Sequence, residues 1–382
     1  MTLIYLDNAA TTQIDPEVIS LITKVMADGP LNASSLHSCG RIARNYLELA
    51  TDQIGRCLNS KMDEPGGARL VFTGSGTEAN NLVIRGMCKK NPLIISRIEH
   101  PSVIGVGQWL ERTGQKVHWL EVDSIGRVST EHLESLLQSD TNLSSLVSIM
   151  WANNETGVLQ PIDRISELCR KYNAKLHVDA TQCVGKIPID LEKISLTSMS
   201  FTGHKFHGPA GVGGVWLSGG ETLDPIMYGG EQQLETRPGT EPVALIAGMA
   251  FALEIACERI PETLVHCSNL RDRLENRLKE IFPDIVIQGS KTSRLPGTSC
   301  ISFLGADRQS MLMALDFEGV SCSSGSACSS GSSPPSHVLR AMRRSKSEIN
   351  SAIRFAVSRF STLSEIESAV EKISKVYRRL KR

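Results

Sequence analysis

Short apolar runs separated by loops and helical stretches recur between residues 69 and 217. They predict strands at residues 69–73, 93–96, 146–151, 175–179, 198–201 and 213–217. Such short apolar runs are typical of strands that are covered on both faces. Between them, residues 78–87 and 162–171 follow the helical period. Alternating strands and helices predict an α/β fold with a doubly wound, mostly parallel sheet.

The pattern changes at Pro242. A helical stretch runs from there to about Phe282, with an interruption near Pro261. Three segments follow this helical stretch. They are the apolar run "TSCISFLG", the serine–glycine tract "VSCSSGSACSSGSSPP" (residues 320–335) and a helical C-terminal part that starts near Pro335. Because 382 residues are too many for one simple core, we expect two domains. Residues 14–255 are predicted to form the large domain, and residues 256–382 with residues 1–13 a smaller α+β domain.

Charge and composition exclude several classes of partner. The net charge of zero argues against a general polyanion binder, and an aromatic content of 5% argues against direct nucleic-acid binding by base stacking. The most apolar stretch, residues 243–253, is too short to span a membrane. Residues 338–382 nevertheless carry 12 Lys/Arg and 4 Asp/Glu, which gives 12 − 4 = +8. This part is either a solvated basic helix or a docking face for an acidic partner protein.

The cysteine pattern predicts free thiols. The chain has ten cysteines but no CxxC pair, which weakens the case for zinc binding or a thioredoxin-like motif. The segment "MTLIYLDNAATT" has neither the basic flank nor the apolar run of a signal peptide. We therefore expect a cytoplasmic protein in a reducing compartment.

Three motifs carry candidate chemistry. In "FTGSGTEANN" a predicted strand runs through two glycines into a helix, which provides N–H groups for an anion, although an ordinary turn fits as well. Asp179 ends a predicted strand, where open α/β sheets bind ligands, and is either an ion-pair partner of a ring nitrogen or a cap. Lys205 follows another strand and is either a solvated lysine or a nucleophile suited to a Schiff base. A phosphate site, a strand-end aspartate and a later lysine together predict a pyridoxal 5'-phosphate site.

The chain resembles the NifS-like cysteine desulfurases, which belong to aminotransferase class V and to the fold type I of pyridoxal phosphate enzymes. The resemblance runs from residue 5 to residue 360 and implies a large domain with a mostly parallel sheet of the seven-stranded type, plus a smaller α+β domain. The motifs that carry it are "YLDNAATT", "SSLHSCGR", "FTGSGTEANNL", "EHPSV", "NNETGVLQPI", "HVDATQCVGKIPIDL", "SFTGHKFHGPAGVGG", "RPGTEP", "SSGSACSSGS" and "IRFAVSRF".

The resemblance also implies a role for individual residues. Lys205 would hold pyridoxal 5'-phosphate covalently, Asp179 would pair with its ring nitrogen, and His100 would stack on the ring and move protons. Cys328 would accept the sulfur. The remaining implied contacts are Gln182 and Asn154 at the ring hydroxyl and the substrate carboxylate, Gly76, Thr77, Thr202 and His204 at the phosphate, Thr240 at the phosphate of the neighbouring subunit, and Arg354 at the substrate carboxylate.

The implied activity is that of a cysteine desulfurase. L-cysteine would be converted to L-alanine, and a persulfide on Cys328 would pass to a sulfur-acceptor protein; Thr240 implies a homodimer. The serine–glycine tract is interpreted as a tether that lets Cys328 move between cofactor and acceptor. The alternatives are a selenocysteine lyase, an aminotransferase-like enzyme that would not need Cys328, or a protein that only docks a partner. Cys322 is a second candidate thiol, interpreted as a small buried residue. Iron–sulfur assembly, tRNA thiolation and DNA phosphorothioation all remain open as destinations.

Overall fold

A computed structural model describes residues 3–62, 64–139, 144–233, 235–325 and 334–381 of the chain. The strands are β1 (Ile4–Tyr5), β2 (Arg69–Thr73), β3 (Leu93–Ser96), β4 (Val117–Leu120), β5 (Leu146–Met150), β6 (Lys175–Asp179), β7 (Ser198–Thr202), β8 (Gly213–Leu217), β9 (Val286–Gln288), β10 (Thr298–Ser302), β11 (Val320–Ser321) and β12 (Ala352–Ala356). The helices are α1 (Pro16–Ala27), α2 (Ser38–Cys57), α3 (Gly76–Cys88), α4 (Pro101–Arg112), α5 (Thr130–Ser139), α6 (Ile162–Lys171), α7 (Val243–Glu258), α8 (Ile260–Ile281), α9 (Arg308–Phe317), α10 (His337–Ala341), α11 (Lys346–Asn350) and α12 (Leu363–Leu380).

The described residues contain a seven-stranded sheet in the order β2-β8-β7-β6-β5-β3-β4. Within this sheet, the neighbouring strands from β7 to β4 pair in parallel, whereas β8 runs antiparallel to both β2 and β7. This arrangement confirms the prediction of an α/β fold with a mostly parallel sheet. The sequence did not predict β4, because Val117, His118 and Trp119 lie at the sheet edge and are only partly buried, so no apolar run marks them.

Most predicted elements match the structure within one residue. The strand predicted at 146–151 ends at Met150, and the one predicted at 198–201 extends to Thr202. Helix α3 begins two residues earlier than predicted, because the Ser75 side chain accepts a hydrogen bond from the Glu78 N–H and caps the helix. Arg259 separates α7 from α8, and Pro261 lies in the first turn of α8, where its missing N–H removes no helical hydrogen bond.

The two largest of four apolar clusters among the described residues join most of the elements. The larger one joins the central sheet to its helices, through residues such as Ile54 of α2 and Val178 of β6. The second packs Leu6 against α8, the antiparallel sheet β12-β10-β9 and α12, where Tyr377 is fully buried. The division at residues 14–255 stays a prediction. None of the helices in the described ranges is long and apolar enough to cross a membrane.

Residues 4–10 lie against the C-terminal part of the chain. Strand β1 pairs in parallel with β11, and Asp7 forms an isolated bridge with Ala356. The Asn8 side-chain nitrogen donates to the Ala356 carbonyl at 2.8 Å. These contacts bring the carbonyls of Ala9 and Ala10 to the end of the large sheet.

Candidate active site

A cavity of about 360 Å³ opens at the carboxyl ends of the parallel strands. Met150 and Asp179, the last residues of β5 and β6, lie in its wall. Open α/β sheets bind their ligands at this edge. The wall includes eight of the residues that the sequence singled out, namely Gly76, Thr77, His100, Asn154, Asp179, Gln182, Lys205 and Arg354.

Lys205 ends the short 3-10 turn that follows β7. Its Nζ donates to the carbonyl oxygens of Ala9 and Ala10, each at 2.7 Å. Burial, together with the positive charges of Lys186 and Arg354, lowers the pKa of Lys205 to about 7. The amine is therefore present in its neutral, nucleophilic form near neutral pH.

Asp179 is 5% exposed at the end of β6. One carboxylate oxygen accepts from the Asn80 side chain at 2.8 Å, and the other accepts from the Thr181 N–H at 3.0 Å. The Asn80 amide also donates to Ser102 at 2.9 Å. The Asp179 carboxylate is thus held in one orientation at the cavity wall.

Asn80 joins several buried polar groups and was missed as a functional residue. Its oxygen accepts from the Ser200 hydroxyl at 2.5 Å and lies 3.2 Å from His177 Nε2. The available signal was its position, since Asn80 shares a helix face with the apolar Val83 and Ile84, three and four residues further on. A buried asparagine on such a face needs hydrogen-bond partners, and here they include Asp179.

His100 caps the start of α4 while remaining accessible from the cavity. The Ser102 N–H donates to its Nδ1 at 3.2 Å. Neutral His100 therefore carries its proton on Nε2. Burial of the ring is the main cause that lowers its pKa, so the neutral form prevails at pH 7.

Two amide side chains face the cavity. Gln182 donates through Nε2 to the Ala9 carbonyl at 3.0 Å and accepts through Oε1 from Lys186 at 3.0 Å. The Asn154 side-chain oxygen is buried and has no hydrogen-bond partner among the described residues. The same holds for the Thr181 hydroxyl, and Thr181 also lines the cavity. Buried polar atoms without partners at a cavity wall indicate a polar ligand.

Arg354 lies on β12 and is 4% exposed. One terminal nitrogen donates to the Asn154 backbone oxygen at 2.8 Å, and the other pairs with Asp7 at 2.8 Å. Its Nε has no partner in the described part of the chain. The guanidinium is therefore fixed at the cavity wall with donor capacity for a carboxylate.

The start of α3 lies at one end of the cavity and offers N–H groups suited to an anion. A Cβ added at Gly76 would lie 3.3 Å from the Thr181 hydroxyl and 3.5 Å from the Thr202 methyl, so a side chain there would fill the space beside the helix start. The first N–H groups of α3 lie at this end. Thr202 donates to the Val212 carbonyl at 2.8 Å, and His204 Nδ1 lies 3.1 Å from the Thr11 hydroxyl. Gly76 and Thr77 line the cavity. Thr202 and His204 are not part of the cavity wall that the described residues form.

Thr240, like Thr202 and His204, is a predicted residue that the structure does not place in the cavity wall formed by the described residues. Thr240 is exposed. Cys328 lies outside the described residues. Cys322 is partly buried against the second apolar cluster, and burial raises the pKa of its thiol, which fits the interpretation of a space-filling cysteine.

Two buried carboxyl groups near the cavity were not anticipated. Glu99 is fully buried, accepts from the Met150 N–H at 3.0 Å, and has its pKa raised to about 8 by burial. Glu155 accepts from the Ser336 hydroxyl at 2.5 Å, and burial raises its pKa as well. Both lie within quoted motifs, "EHPSV" and "NNETGVLQPI", but nothing in the letters alone distinguishes a buried glutamate from an exposed one.

The donor set fits pyridoxal phosphate. A lysine with a lowered pKa, an oriented carboxylate and a helix start for the phosphate surround one cavity. The unpartnered Asn154 oxygen and Thr181 hydroxyl offer further polar contacts to such a group. Among the described residues no cluster of His, Cys, Asp and Glu could hold a metal ion.

Comparison with known proteins agrees with this geometry. The sequence profile of the family described as Aminotransferase class-V matches residues 4–368. A cysteine desulfurase from Nostoc sp. is 37% identical over 100% of this chain and 94% of its own, and the cysteine desulfurase NifS from Azotobacter vinelandii is 36% identical over 99% and 93%. The X-ray structure of a NifS-like protein from Rickettsia africae superposes with a TM-score of 0.91 at 35% identity, covering 99% of this chain and 100% of that one. The chain therefore belongs to the class V aminotransferase family and, within it, to the cysteine desulfurases.

Proposed function

We propose that this protein removes sulfur from L-cysteine, releases L-alanine and retains the sulfur as a persulfide on Cys328. The observation that carries the proposal is the single cavity in which Lys205, Asp179 and Arg354 meet. The family is dependent on pyridoxal phosphate, and the donor set of this cavity suits that cofactor. When bound, the cofactor withdraws an electron pair from the substrate α-carbon.

The proposed reaction balances without an external oxidant or reductant. The Cys328 thiol loses its proton, and the resulting thiolate attacks the sulfur of the substrate. The carbon–sulfur bond breaks, its electron pair stays with the carbon skeleton, and a proton replaces the lost sulfur. One thiol and one L-cysteine thus give one persulfide and one L-alanine.

Lys205 is proposed to move the α-proton. Its amine is held by the Ala9 and Ala10 carbonyls, and its lowered pKa of about 7 lets it accept and return a proton near neutral pH. His100, neutral with its proton on Nε2, is placed to donate to a group in the same cavity.

Arg354 is proposed to bind the substrate carboxylate. Its guanidinium is already oriented by Asp7 and by the Asn154 backbone, so little side-chain entropy is lost on binding. Asp179 and Gln182 would hold the ring of the cofactor, the first through its fixed carboxylate and the second through its amide nitrogen.

A homodimer is proposed as the working form. Several large apolar side chains of α1, of α2 and of the segment between them are exposed, and Leu36 is exposed by 86%. The others are Ile19, Met26, Ile42 and Leu49. Burying such a face against a second copy would remove it from water and bring the exposed Thr240 to the neighbouring phosphate.

After the reaction, the persulfide on Cys328 is proposed to pass to a sulfur-acceptor protein in the cytoplasm.

A single-turnover experiment tests the reaction. Holoenzyme is mixed with one equivalent of L-cysteine, alanine is quantified, and the persulfide is located by mass spectrometry of the intact peptide. We expect one alanine per subunit and the extra sulfur on Cys328, and no persulfide in Cys328→Ala. Cys322→Ala is the matched control and should behave like the wild type.

Other outcomes would reject the proposal. Sulfide release by Cys328→Ala at the wild-type rate would show that this thiol is not the acceptor. A keto acid in place of alanine would indicate an aminotransferase. Turnover of L-selenocysteine without turnover of L-cysteine would indicate a selenocysteine lyase.

A further inference from the structure

Lys186 is a half-buried lysine that the proposed reaction does not use. It lines a second, smaller cavity of about 50 Å³, whose wall also includes Lys205. Within the described residues its ammonium donates to Gln182 Oε1 at 3.0 Å and forms no ion pair. Burial lowers the pKa of Lys186 to about 8. A desolvated ammonium without a carboxylate partner is costly, so the one polar contact that it makes among the described residues needs a reason.

The contact continues toward the active site through an unbroken hydrogen-bonded path. Lys186 donates to the Gln182 amide oxygen, and the amide nitrogen of Gln182 donates to the Ala9 carbonyl at 3.0 Å. The same carbonyl accepts from Lys205 at 2.7 Å. Two lysines are thereby joined through one amide and one backbone oxygen.

The chemistry at both ends of the amide permits one orientation. An ammonium group only donates hydrogen bonds, so it requires the amide oxygen of Gln182 on its side. A backbone carbonyl only accepts, so it requires the amide nitrogen. The nitrogen carries two hydrogens, and the Ala9 carbonyl takes one of them. The second hydrogen has no acceptor among the described residues, so it is available to a group bound in the cavity that Gln182 lines.

We propose that Lys186 is a positioning residue, which keeps the Gln182 amide turned so that its nitrogen donates to the ring oxygen of bound pyridoxal phosphate. The inference rests on the proposed role of Gln182 as a contact of the cofactor. Without Lys186 only the Ala9 carbonyl still favours this orientation, so the amide turns over more readily and then presents its oxygen, which an anionic ring oxygen would repel. Donation to the ring oxygen disfavours protonation of the cofactor-bound nitrogen of Lys205, so loss of the donor raises the pH at which that nitrogen titrates.

The positive charge of Lys186 also disfavours protonation of Lys205 directly. This charge effect must be distinguished from the effect of Lys186 on the orientation of Gln182. The charged groups that face Lys205 are Lys186 and Arg354, which disfavour its protonation, and Asp179 and Asp7, which favour it. Loss of the Lys186 charge alone would raise the titration midpoint as well. A charge effect, however, does not require Gln182, whereas positioning does.

A double-mutant cycle in the holoenzyme distinguishes the two effects. The variants are Lys186→Met, Gln182→Leu and the double variant, and the readout is the pH midpoint of the visible absorption band of the bound cofactor. We expect Lys186→Met to raise the midpoint by about 0.5 to 1 unit, below the range of about 1–3 units for a charge in contact. In the Gln182→Leu background the same change should raise it by less than half as much.

Further variants keep the test decisive if Lys186→Met folds poorly. Lys186→Gln leaves a group that both donates and accepts, so it no longer fixes the Gln182 amide and should raise the midpoint, whereas Lys186→Arg should stay near the wild type. Lys193→Met is the matched control, because Lys193 is 81% exposed. Equal shifts in the two backgrounds, or no shift at all, would overturn the proposal. A wild-type protein without a visible band would instead contradict the cofactor assignment, independently of Lys186.

Discussion

The lowered pKa of Lys205 predicts how capture of pyridoxal phosphate by the apoprotein depends on pH. Only the neutral amine reacts with the cofactor aldehyde. With a pKa of about 7, about 9% of Lys205 is neutral at pH 6, about 50% at pH 7 and about 91% at pH 8. The capture rate should therefore rise about tenfold from pH 6 to pH 8 and then level off. An ordinary lysine with a pKa of about 10.4 would instead gain about a hundredfold over the same range and continue to rise.

The assay follows growth of the visible band after apoprotein is mixed with excess cofactor. A blocked free lysine derivative, treated identically, corrects for the ionisation of the cofactor itself, and Lys205→Ala should give no band. Arg354→Gln removes a positive charge that disfavours protonation of Lys205, so its profile should move to higher pH. A wild-type rate that still rises tenfold between pH 8 and pH 9 would refute the argument that burial and the neighbouring charges depress the pKa of Lys205.

Three further changes test other parts of the structure. Asn80→Ala removes a hydrogen bond from each of several buried groups, one oxygen of Asp179 among them, so we expect the free energy of unfolding to fall by about 2 to 4 kcal/mol, seen as a lower apparent Tm and faster loss of cofactor. An unchanged Tm would contradict the view that Asn80 holds these groups together. Glu275→Leu removes the carboxylate that lies 2.7 Å from the buried Arg294 guanidinium. We expect the free energy of unfolding, measured by thermal unfolding, to fall by about 3–5 kcal/mol, and the double variant with Arg294→Met should recover most of that stability. Thr240→Ala should weaken cofactor retention in the dimer while leaving the dimer itself intact by sedimentation; unchanged retention would argue against a contact across the interface.

Much of the fold follows from local patterns. Strands β3, β6 and β8 are short runs buried on both faces, so composition and length suffice to locate them. The edge strand β4 is not predictable from its own sequence, because its exposure depends on the strand with which it pairs, and that pairing is a property of the whole chain. Helix α3 begins two residues before the predicted start because the Ser75 cap, rather than the apolar period, determines where it begins.

The site was predictable only where a motif names the residue. Asp179 and Lys205 each end a strand or follow one, and the structure places both in one cavity wall. Asn80 and Glu155 act through contacts with residues about a hundred or more positions away, which periodicity does not encode. The Gln182–Lys186 contact is local in sequence, yet its meaning depends on the Ala9 carbonyl, 173 residues from Gln182.

The placement of residues 4–10 has a consequence for synthesis on the ribosome. Asp7 meets Arg354 across 347 residues, and Asn8 meets Ala356 across 348. At about 5–20 residues per second, roughly 17 to 70 s separate the appearance of the two partners. Until then Gln182, His204 and Lys205 are the neighbours that can hold residues 9–12, and the pairing with β12 is missing. A nascent chain therefore lacks both Arg354 and the C-terminal support of residues 4–10, so we expect a complete site only in nearly finished protein.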